Sequence, residues 1–475
     1  LGAVKYFDNR SWSLCDLSEE HFCFCIAAFM ANSGIVEKQR VAVIGAGVAG
    51  LGAAWHLAED AGIDLVVYEK GAQAGGHANT VVVDGTPVDT GFMVFNPRTY
   101  PNMLALFEKL GVEAEDTCMS FSVSLDEGRL EWQSDAPFCQ RRNLLRPAFH
   151  GMLRDMLRFN REALELLALR DDDPRKAVTL GEFLKAGRYS AAFAECYLLP
   201  MAAAVWSAAA GDVRAFPART LARFFHNHQF LQVFDRPQWQ TVKGRSRTYV
   251  DKIASVLGDR LRCGTGVVAC TRQRTPEGKQ VFVVQDASGA SQEFDQVIFG
   301  CHPDEALAAL GASATPAEAA ALGKFRYQAN EVYLHSDPAL MPRRKAAWAA
   351  WNYLGSSARG AQQQPVFVTY WLNKLQNLDH PAPLLVSLNP TTPPRPELVH
   401  RKFDYAHPQF SEDAVQAQKE VAALQGRAGA RFAGAYLGYG FHEDGLRSGL
   451  QQAAALAGRP APWAAAAAAT ASRAP

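Results

Sequence analysis

Residues 41–57 read Val41-Ala-Val-Ile-Gly-Ala-Gly-Val-Ala-Gly50-Leu-Gly-Ala-Ala-Trp-His-Leu57. The apolar residues at the start predict a short buried strand, and those after Gly50 recur at helical spacing. Between them, Gly45, Gly47 and Gly50 stand in G-x-G-x-x-G spacing. The stretch therefore predicts a strand, a tight turn and a helix N-terminus, whose free N–H groups and dipole attract phosphate.

A second predicted strand, Asp64–Tyr68, ends directly before Glu69. An acidic side chain about 20 residues after the turn suits the hydroxyl groups of an adenosine ribose. The alternative is a glycine-rich turn that holds no ligand, and the spacing of Glu69 favours the dinucleotide. We predict that the dinucleotide is contacted by Gly45, Ala46, Gly47, Val48, Ala49, Gly50, Glu69 and Lys70.

The chain has 475 residues, with 48 basic and 48 acidic side chains. This length predicts two domains, and the charge balance gives no indication of nucleic-acid binding. No apolar run reaches the roughly 18–20 residues of a membrane span. We expect a soluble, cytoplasmic protein, for which peripheral contact with a membrane stays open. The nine scattered cysteines favour free thiols over disulfides.

The segment after Glu69 favours FAD over NAD. It contains a glycine pair at Gly75-Gly76, a hairpin-like alternation over residues 80–89, and Thr90-Gly91-Phe92. This order resembles the amine-oxidase-like FAD flavoproteins, which carry a Gly-Gly-Arg after the acidic residue. His77 stands where that arginine is expected. It either supplies the pyrophosphate contact or has a structural role.

Longer motifs resemble a narrower branch of these flavoproteins. The branch contains bacterial predicted NAD/FAD-binding proteins and the flavoprotein half that precedes the methyltransferase in plant cyclopropane-fatty-acid synthases. The similarity covers roughly residues 39–455. It is carried by Phe92-Met-Val-Phe-Asn96, Arg98-Thr-Tyr-Pro-Asn102, Met119-Ser-Phe-Ser-Val-Ser-Leu125, Tyr197-Leu-Leu-Pro-Met201, Trp348-Ala-Ala-Trp-Asn-Tyr353 and Gly440-Phe-His-Glu-Asp-Gly-Leu446.

The resemblance implies an α/β fold, in which a discontinuous Rossmann-like FAD-binding domain carries a mixed substrate domain of sheet and helices. We expect the FAD-binding domain over residues 38–125, 240–310 and 425–456. A helical cap is expected over 126–239 and the substrate-domain sheet over 311–424. Residues 1–37 are expected to be an unstructured arm or non-native extension, of which 1–29 are dispensable, and 457–475 an Ala/Pro-rich tail or linker.

The resemblance also implies further FAD contacts. Val268 is expected to reach the adenine through its backbone, and the Gly434–Gly449 segment to cover the flavin ring. The helix that begins there would stabilise negative charge on the flavin, although Glu443 and Asp444 also suit ordinary helix caps. No cysteine lies in a recognisable attachment motif, so we expect noncovalent FAD. The further predicted contacts are Gly76, His77, Gly91, Phe92, Val268, Gly434, Asp444, Gly445 and Leu446.

Two side chains are candidates for catalysis. His442 lies in the terminal motif and is an acid/base candidate, or else it bonds backbone at a helix start. Tyr439 is a candidate for one member of an aromatic pair beside the flavin. His226 and His228 form an H-x-H pattern, but no nearby cysteine or carboxylate accompanies them, so we predict no metal. Trp348, Trp351 and Trp371 suit either core or pocket.

Three functions fit these patterns. The first is an FAD-dependent oxidoreductase that transfers hydride from an acyl lipid or other apolar substrate to flavin N5, as the resemblance implies. The second is a flavin-binding accessory module of a lipid (cyclopropane) methyltransferase system, with the methyltransferase as partner or fused domain. The third is a redox-neutral flavin isomerase that acts on a double bond.

Overall fold

The structure is a computed structural model. It describes residues 38–170, 173–206, 209–232, 237–356, 365–409 and 411–460, together with Trp463. The predicted arm at 1–37 and most of the predicted tail at 457–475 lie outside these residues, as does the expectation that 1–29 are dispensable. No helix of the described residues combines the length and apolar composition that a membrane crossing needs.

Nineteen strands occur in the described residues. In chain order they are β1 Gln39–Ile44, β2 Ile63–Tyr68, β3 Thr80–Val83, β4 Thr86–Asp89, β5 Ala114–Thr117, β6 Phe121–Leu125, β7 Leu130–Gln133, β8 Trp239–Val242, β9 Leu261–Arg262, β10 Val267–Arg274, β11 Gln280–Asp286, β12 Ser291–Phe294, β13 Gln296–Phe299, β14 Tyr327–His335, β15 Trp351–Gly355, β16 Phe367–Trp371, β17 Leu385–Leu388, β18 Val399–Pro408 and β19 Ala430–Phe432.

The α-helices of the described residues fall between these strands. They are α1 Val48–Leu57, α2 Pro101–Leu110, α3 Pro147–Ala168, α4 Leu180–Ala186, α5 Ala191–Phe193, α6 Leu199–Trp206, α7 Ala210–Ala215, α8 Ala218–Asn227, α9 Arg247–Leu257, α10 Pro303–Leu310, α11 Pro316–Leu322, α12 Leu372–Leu375, α13 Glu412–Leu424 and α14 His442–Ala457. A π-helical turn, Ala194–Leu198, joins α5 to α6.

A five-stranded parallel sheet, which we call the cofactor sheet, has the order β19-β13-β1-β2-β9. Its strands are apolar runs because both faces are covered. Val41 and Val43 face a core that includes α1, α9 and α14, whereas Ala42 and Ile44 face α10, α11, α13 and the small antiparallel sheet β10-β11-β12. The sheet is therefore assembled from four separated parts of the chain.

A second sheet of seven strands, the substrate sheet, has the order β18-β14-β17-β16-β15-β6-β7. All its pairs are antiparallel except β15 with β6. One core joins this sheet to helices α3 to α8, which form a helical roof over residues 147–227. The predicted fold class, a Rossmann-like domain carrying a mixed sheet-and-helix domain, is confirmed.

Two of the expected domain boundaries differ from those in the structure. Strand β6 lies in the substrate sheet, although the expected boundary after residue 125 assigned it to the cofactor domain. Helices α11 and α13 pack on the cofactor sheet, although residues 311–424 were expected to form the substrate-domain sheet. Periodicity indicates which residues are buried, but it does not show which of two cores they join.

Candidate functional site

The glycine-rich turn follows β1 and begins α1 as predicted. Gly45 has φ +96°, a backbone conformation that side chains disfavour, and a Cβ there would approach Cys301 N to 3.0 Å. A Cβ at Gly50 would lie 1.8 Å from Gly45 O, so only glycine lets the helix approach the strand this closely. Space remains open at Gly47, where a Cβ would meet nothing within 4 Å. The turn is thus built for backbone contact with a ligand.

Glu69 lies at the end of β2, beside the turn. Its Oε2 accepts a hydrogen bond from Ala46 N at 2.8 Å, and its Oε1 accepts one from Gly71 N at 2.7 Å. The neighbouring Lys70 pairs with Glu305. Each carboxylate oxygen can accept a further hydrogen bond. Glu69 therefore anchors the turn and still has acceptor capacity for a ribose hydroxyl.

One cavity of about 1100 Å³ extends from this turn to the substrate sheet and the helical roof. The cavity contacts both the glycine-rich turn near the start of the chain and the terminal flavin motif, which are almost 400 residues apart in sequence. Fourteen of the predicted cofactor contacts and catalytic candidates line it: Gly45, Gly47, Val48, Ala49, Glu69, Lys70, Gly76, His77, Gly91, Phe92, Val268, Gly434, Tyr439 and His442.

Five predicted contacts lie behind the cavity wall: Ala46, Gly50, Asp444, Gly445 and Leu446. Asp444 accepts hydrogen bonds from Tyr439 N and Phe441 N, which makes it the helix cap that the sequence left as an alternative. Leu446 is fully buried against Gly52, and a Cβ at Gly445 would lie 2.7 Å from Val48 Cγ1. Gly445 and Leu446 therefore serve the packing of α14 on α1.

His77 faces the cavity next to the turn. A Cβ on the preceding Gly76 would lie 3.1 Å from Gly47 Cα, which shows how closely the two segments approach. The ring of His77 lies 5.0 Å from that of Tyr405, and its Nε2 is buried with no partner among the described residues. Burial first, and then the nearby His407, lowers the pKa of His77 to about 3. An unpaired buried nitrogen here suits a ligand oxygen.

His442 is held by two other side chains. Its ring stacks on Phe92 with centroids 3.9 Å apart, and its Nε2 lies 2.6 Å from the hydroxyl of Tyr249. Burial lowers the pKa of His442 to about 3, so the imidazole is neutral at physiological pH. The side chain thus bonds tyrosine rather than backbone. Tyr249 is a residue that the sequence analysis did not single out.

The part of the cavity that we call the apolar chamber is lined by residues of the roof and the substrate sheet. Tyr439 reaches the roof, with its ring 5.9 Å from Phe224. Of the three tryptophans, Trp351 lines the cavity, whereas Trp348 and Trp371 pack on each other outside it. The chamber is lined by Val205, Trp206, Phe224, Phe230, Trp351, Tyr370 and Leu388.

Most of these chamber residues were missed by the sequence analysis. They come from two helices, the turn after α8 and three strands, and each looks like an ordinary core residue in its own segment. Trp351 differs, because its indole N–H is buried without a hydrogen-bond partner in the part of the chain that is described. Buried tryptophan N–H groups usually find an acceptor, so this donor is available to a ligand.

The histidine pair and the cysteines show no metal chemistry of their own. His228 directs Nδ1 to Phe224 O at 3.1 Å and stacks on that ring. Across the described ranges, no three potential ligand side chains stand close enough to hold a metal ion. The described cysteines are all free thiols: Cys118, Cys139, Cys196, Cys263, Cys270 and Cys301.

Comparison with known proteins identifies the family. A family model described as flavin-containing amine oxidoreductase matches residues 48–457. The chain belongs to this family. The predicted amine-oxidase-like resemblance, the FAD cofactor and the class of flavin-dependent oxidoreductase are thereby confirmed.

The curated relatives match much shorter parts of this chain than the family model does. A hydroxyneurosporene desaturase from Rubrivivax gelatinosus is 49% identical over 63 residues, which is 13% of this chain and 12% of the desaturase. A 15-cis-phytoene desaturase from Synechococcus elongatus is 41% identical over 96 residues, which is 20% of this chain and 17% of that protein. The chain therefore matches less than a fifth of the length of either curated relative, so their activities do not transfer by similarity.

Solved structures share the fold at low identity. A putrescine oxidase bound to putrescine has a TM-score of 0.64 at 14% identity and covers 89% of this chain and 99% of its own. A fatty acid isomerase from P. acnes that produces CLA has a TM-score of 0.62 at 15% identity, with coverages of 87% and 97%. Cyclohexylamine oxidase from Brevibacterium oxydans has the same TM-score and identity, with coverages of 89% and 99%.

The residues of the cavity fit FAD. The turn at Gly45–Gly50 offers free helix N–H groups to a pyrophosphate, and the unpaired Nε2 of His77 lies beside it. Glu69 and Val268, which sits at an irregularity in β10, also line the cavity. Phe92, Gly434 and His442 line the portion near the chamber.

Proposed function

We propose that this protein oxidises an apolar organic substrate, of which an acyl lipid is the leading class, with FAD as the hydride acceptor. The observation that carries the proposal is the continuity of the cavity. Its nucleotide end, at Glu69 and Gly47, opens into the apolar chamber past Phe92 and His442. A cofactor and a substrate can therefore meet without exposure to bulk water.

The charge of the cavity lining favours an apolar substrate over an amine. The carboxylates among the described lining residues are Glu69, Asp304, Glu305 and Asp404. Glu69 and Glu305 belong to the nucleotide end, Asp304 precedes Glu305, and Asp404 is exposed to solvent. A substrate ammonium in the chamber would lack a counter-charge there, and burying an unpaired charge is costly. An acyl chain would instead replace water on apolar walls.

The side chains near the chamber have distinct roles in this proposal. When bound, FAD accepts a hydride at N5, which is redox chemistry that side chains do not supply. His442 is neutral, and its contacts with Tyr249 and Phe92 hold the ring in one orientation beside the cofactor, where it can position rather than deprotonate a ligand. The unpaired N–H of Trp351 can donate to a single acceptor atom on an otherwise apolar substrate.

An anaerobic titration of the purified FAD-bound protein tests the proposal. We expect acyl lipids to bleach the flavin absorbance and to yield a product with two fewer hydrogens. Putrescine and cyclohexylamine serve as amine controls and should leave the spectrum unchanged. Bleaching by the amines alone would refute the apolar substrate. Double-bond migration without net oxidation would assign the isomerase function, and no response to any lipid would favour the accessory module.

A variant sharpens this test. Trp351→Phe keeps an aromatic ring and removes the buried N–H, so we expect weaker lipid binding with little change in the FAD content. Trp371→Phe is the matched control, because Trp371 lies outside the cavity and its N–H is also buried without a partner in the described structure. Equal effects of the two substitutions would exclude a role for Trp351 in substrate recognition.

A further inference from the structure

The outer surface of the helical roof carries an unusual group of exposed apolar side chains. Among the described residues, seven large hydrophobic side chains are strongly exposed, and four of them lie between residues 144 and 164. Leu145 is 86% exposed and Leu144 is 54% exposed, both in a short 3-10 helix that precedes α3. Leu157 and Leu164 are 57% and 44% exposed on α3 itself.

These side chains form one surface. His150, Arg154, Leu157, Arg161 and Leu164 follow each other at four- and three-residue spacing, which places them on one face of α3. The imidazole Nε2 of His150 lies 2.9 Å from Leu144 O, which connects the leucine pair to the start of that face. We call this surface, from Leu144 to Leu164, the leucine–arginine face.

Positive charge surrounds the exposed leucines. Arg141, Arg142 and Arg154 are exposed, and none of them is in an ion pair within the described part of the chain. The nearby carboxylates are occupied: Asp155 is buried against Arg158, and Glu165 lies 3.7 Å from Arg161. Burial, and then the neighbouring guanidinium groups of Arg142, Arg129 and Arg344, lowers the pKa of Arg146, which shows how closely these cations are crowded.

A surface depression of about 480 Å³ adjoins Arg142. Four arginines and two carboxylates line it: Arg129, Arg142, Arg343, Arg344, Asp126 and Glu127. The excess of cations gives this part of the surface a positive charge of two, although the whole chain has a formal net charge of zero. The concentration of cations is therefore local to this side of the molecule.

We propose that the leucine–arginine face docks the protein on an anionic lipid bilayer. Leu144 and Leu145 would enter the boundary between headgroups and acyl chains, while the arginines contact anionic headgroups. This combination of exposed leucines with unpaired arginines matches a bilayer better than an acidic protein surface, which would leave the leucines without apolar partners. Helix α3 packs on α8, which lines the apolar chamber through Phe224, so the docked face is the outer side of the chamber's roof.

Co-sedimentation with vesicles tests the proposal on the FAD-bound full chain. We expect binding to vesicles of equal parts phosphatidylcholine and phosphatidylglycerol, weaker binding as salt is raised, and little binding to pure phosphatidylcholine. Leu144→Ser/Leu145→Ser should lower the partition coefficient at least about tenfold. The matched control is Val82→Ser, which removes another strongly exposed apolar side chain on β3 and should bind as the parent does.

A second pair of variants tests how much the positive charge contributes to binding of anionic vesicles. Arg141→Gln/Arg142→Gln should weaken binding to the anionic vesicles, whereas Arg401→Gln/Arg427→Gln removes the same charge from exposed sites elsewhere and should not. Failure to bind anionic vesicles, or equal loss with the control pair, would overturn the proposal. A dimer in solution that Leu144→Ser/Leu145→Ser dissociates would also overturn it, because the face would then be covered by a second copy. These outcomes do not depend on which substrate the cavity accepts.

Discussion

At the scale of single residues, the structure shows a role for Glu69 that the sequence did not predict. It was predicted to bind a ribose, and the structure shows it already bonded to two backbone N–H groups of the turn. We expect Glu69→Ala to weaken FAD binding by about 1–3 kcal/mol, since both the turn anchor and the ligand acceptor are lost. Glu69→Gln keeps one oxygen and should lose less. Fluorescence titration with FAD gives both dissociation constants, and unchanged values would show that Glu69 does not contact the cofactor.

The contact between Tyr249 and His442 gives a second prediction at this scale. Tyr249→Phe leaves a buried histidine nitrogen without its partner, so we expect a loss of about 1–3 kcal/mol in the free energy of unfolding. Tyr436→Phe is the control, because the Tyr436 hydroxyl is buried without a partner among the described residues. Urea denaturation of both variants measures the difference. A Tyr436 variant as unstable as the Tyr249 variant would mean that the hydrogen bond contributes nothing.

Residue roles were predictable where a motif fixes geometry locally. Gly45, Gly47 and Gly50 are read from spacing alone, because strand, turn and helix are neighbours in the chain. The partner of His442 was not predictable, since Tyr249 is 193 residues away and meets it only when separated parts of the cofactor domain come together. Asp444 was assigned to both a cap and a flavin contact, and only the hydrogen bonds of the folded chain distinguish the two.

At the scale of elements, the site depends on the close packing of α14 against α1. Gly445→Val would place a branched side chain against Val48 and Ala435, where even a Cβ lies 2.7 Å from Val48 Cγ1. We expect a loss of stability of roughly 1–3 kcal/mol or more, together with reduced flavin content, because the helix start moves away from the turn. Thermal unfolding and flavin absorbance per folded protein are the measurements.

Gly151→Ala is the matched control for this packing prediction. Gly151 lies within α3, and a Cβ there would meet nothing within 4 Å. Because alanine favours helix over glycine, we expect an unchanged or slightly raised melting temperature and full flavin content. Full flavin occupancy in the Gly445→Val protein would show that the start of α14 is not needed to position the cofactor.

Glu443 shows how elements far apart in sequence are joined. Its carboxylate accepts hydrogen bonds from Asn102 N, Asn102 Nδ2 and Met103 N, so it caps the start of α2 from the start of α14. From the sequence, this carboxylate was expected to cap the start of its own helix, α14. In the structure it caps the start of another helix, α2. The positions of β1, β2 and the β3–β4 hairpin were predicted because apolar runs and alternation are local, whereas pairing partners such as β6 with β15 are not encoded locally.

For the whole molecule, buried histidines predict a loss of stability in acid. Burial lowers the pKa of His77 and His442 to about 3, and that of His228, His335 and His407 to about 4, although a nearby histidine also contributes for His77 and His407. The unfolded state takes up protons near pH 6.5 and the folded state does not, so these groups stabilise the fold above pH 6.5 and lose that effect towards pH 4.

Three buried carboxyl groups act in the opposite direction, because burial raises the pKa of Asp89, Glu443 and Asp444. Burial raises the pKa of Asp89 to about 6 and that of Glu443 to about 7, so their contributions favour the fold at lower pH and fade as the pH rises through those values. Five histidines outweigh three carboxyls, and we expect the melting temperature to fall by roughly 5–10 °C from pH 7.5 to pH 5. A constant or rising melting temperature would contradict this balance.

His335 provides a variant for this pH dependence that leaves the cofactor cavity untouched. It lies outside the cavity lining, bonded to Ser387 Oγ and Asp337 N. His335→Gln removes one titrating group and retains an amide with similar hydrogen-bonding capacity. We expect a shallower fall of the melting temperature with pH than in the parent protein, measured at the same FAD concentration.

The order of strands in the cofactor sheet has a consequence for synthesis on the ribosome. Strand β1 starts at Gln39, but β19 completes the sheet only at Phe432, and α14 covers it later still. At roughly 5–20 residues per second, about 20–80 s separate the emergence of the first strand from that of the last. During that interval the apolar faces of β1, β2 and β13 lack part of their cover, so the nascent chain is a natural client for a chaperone. Slower translation of the final third would lengthen this exposure and lower the yield of flavin-loaded protein, even with every residue unchanged.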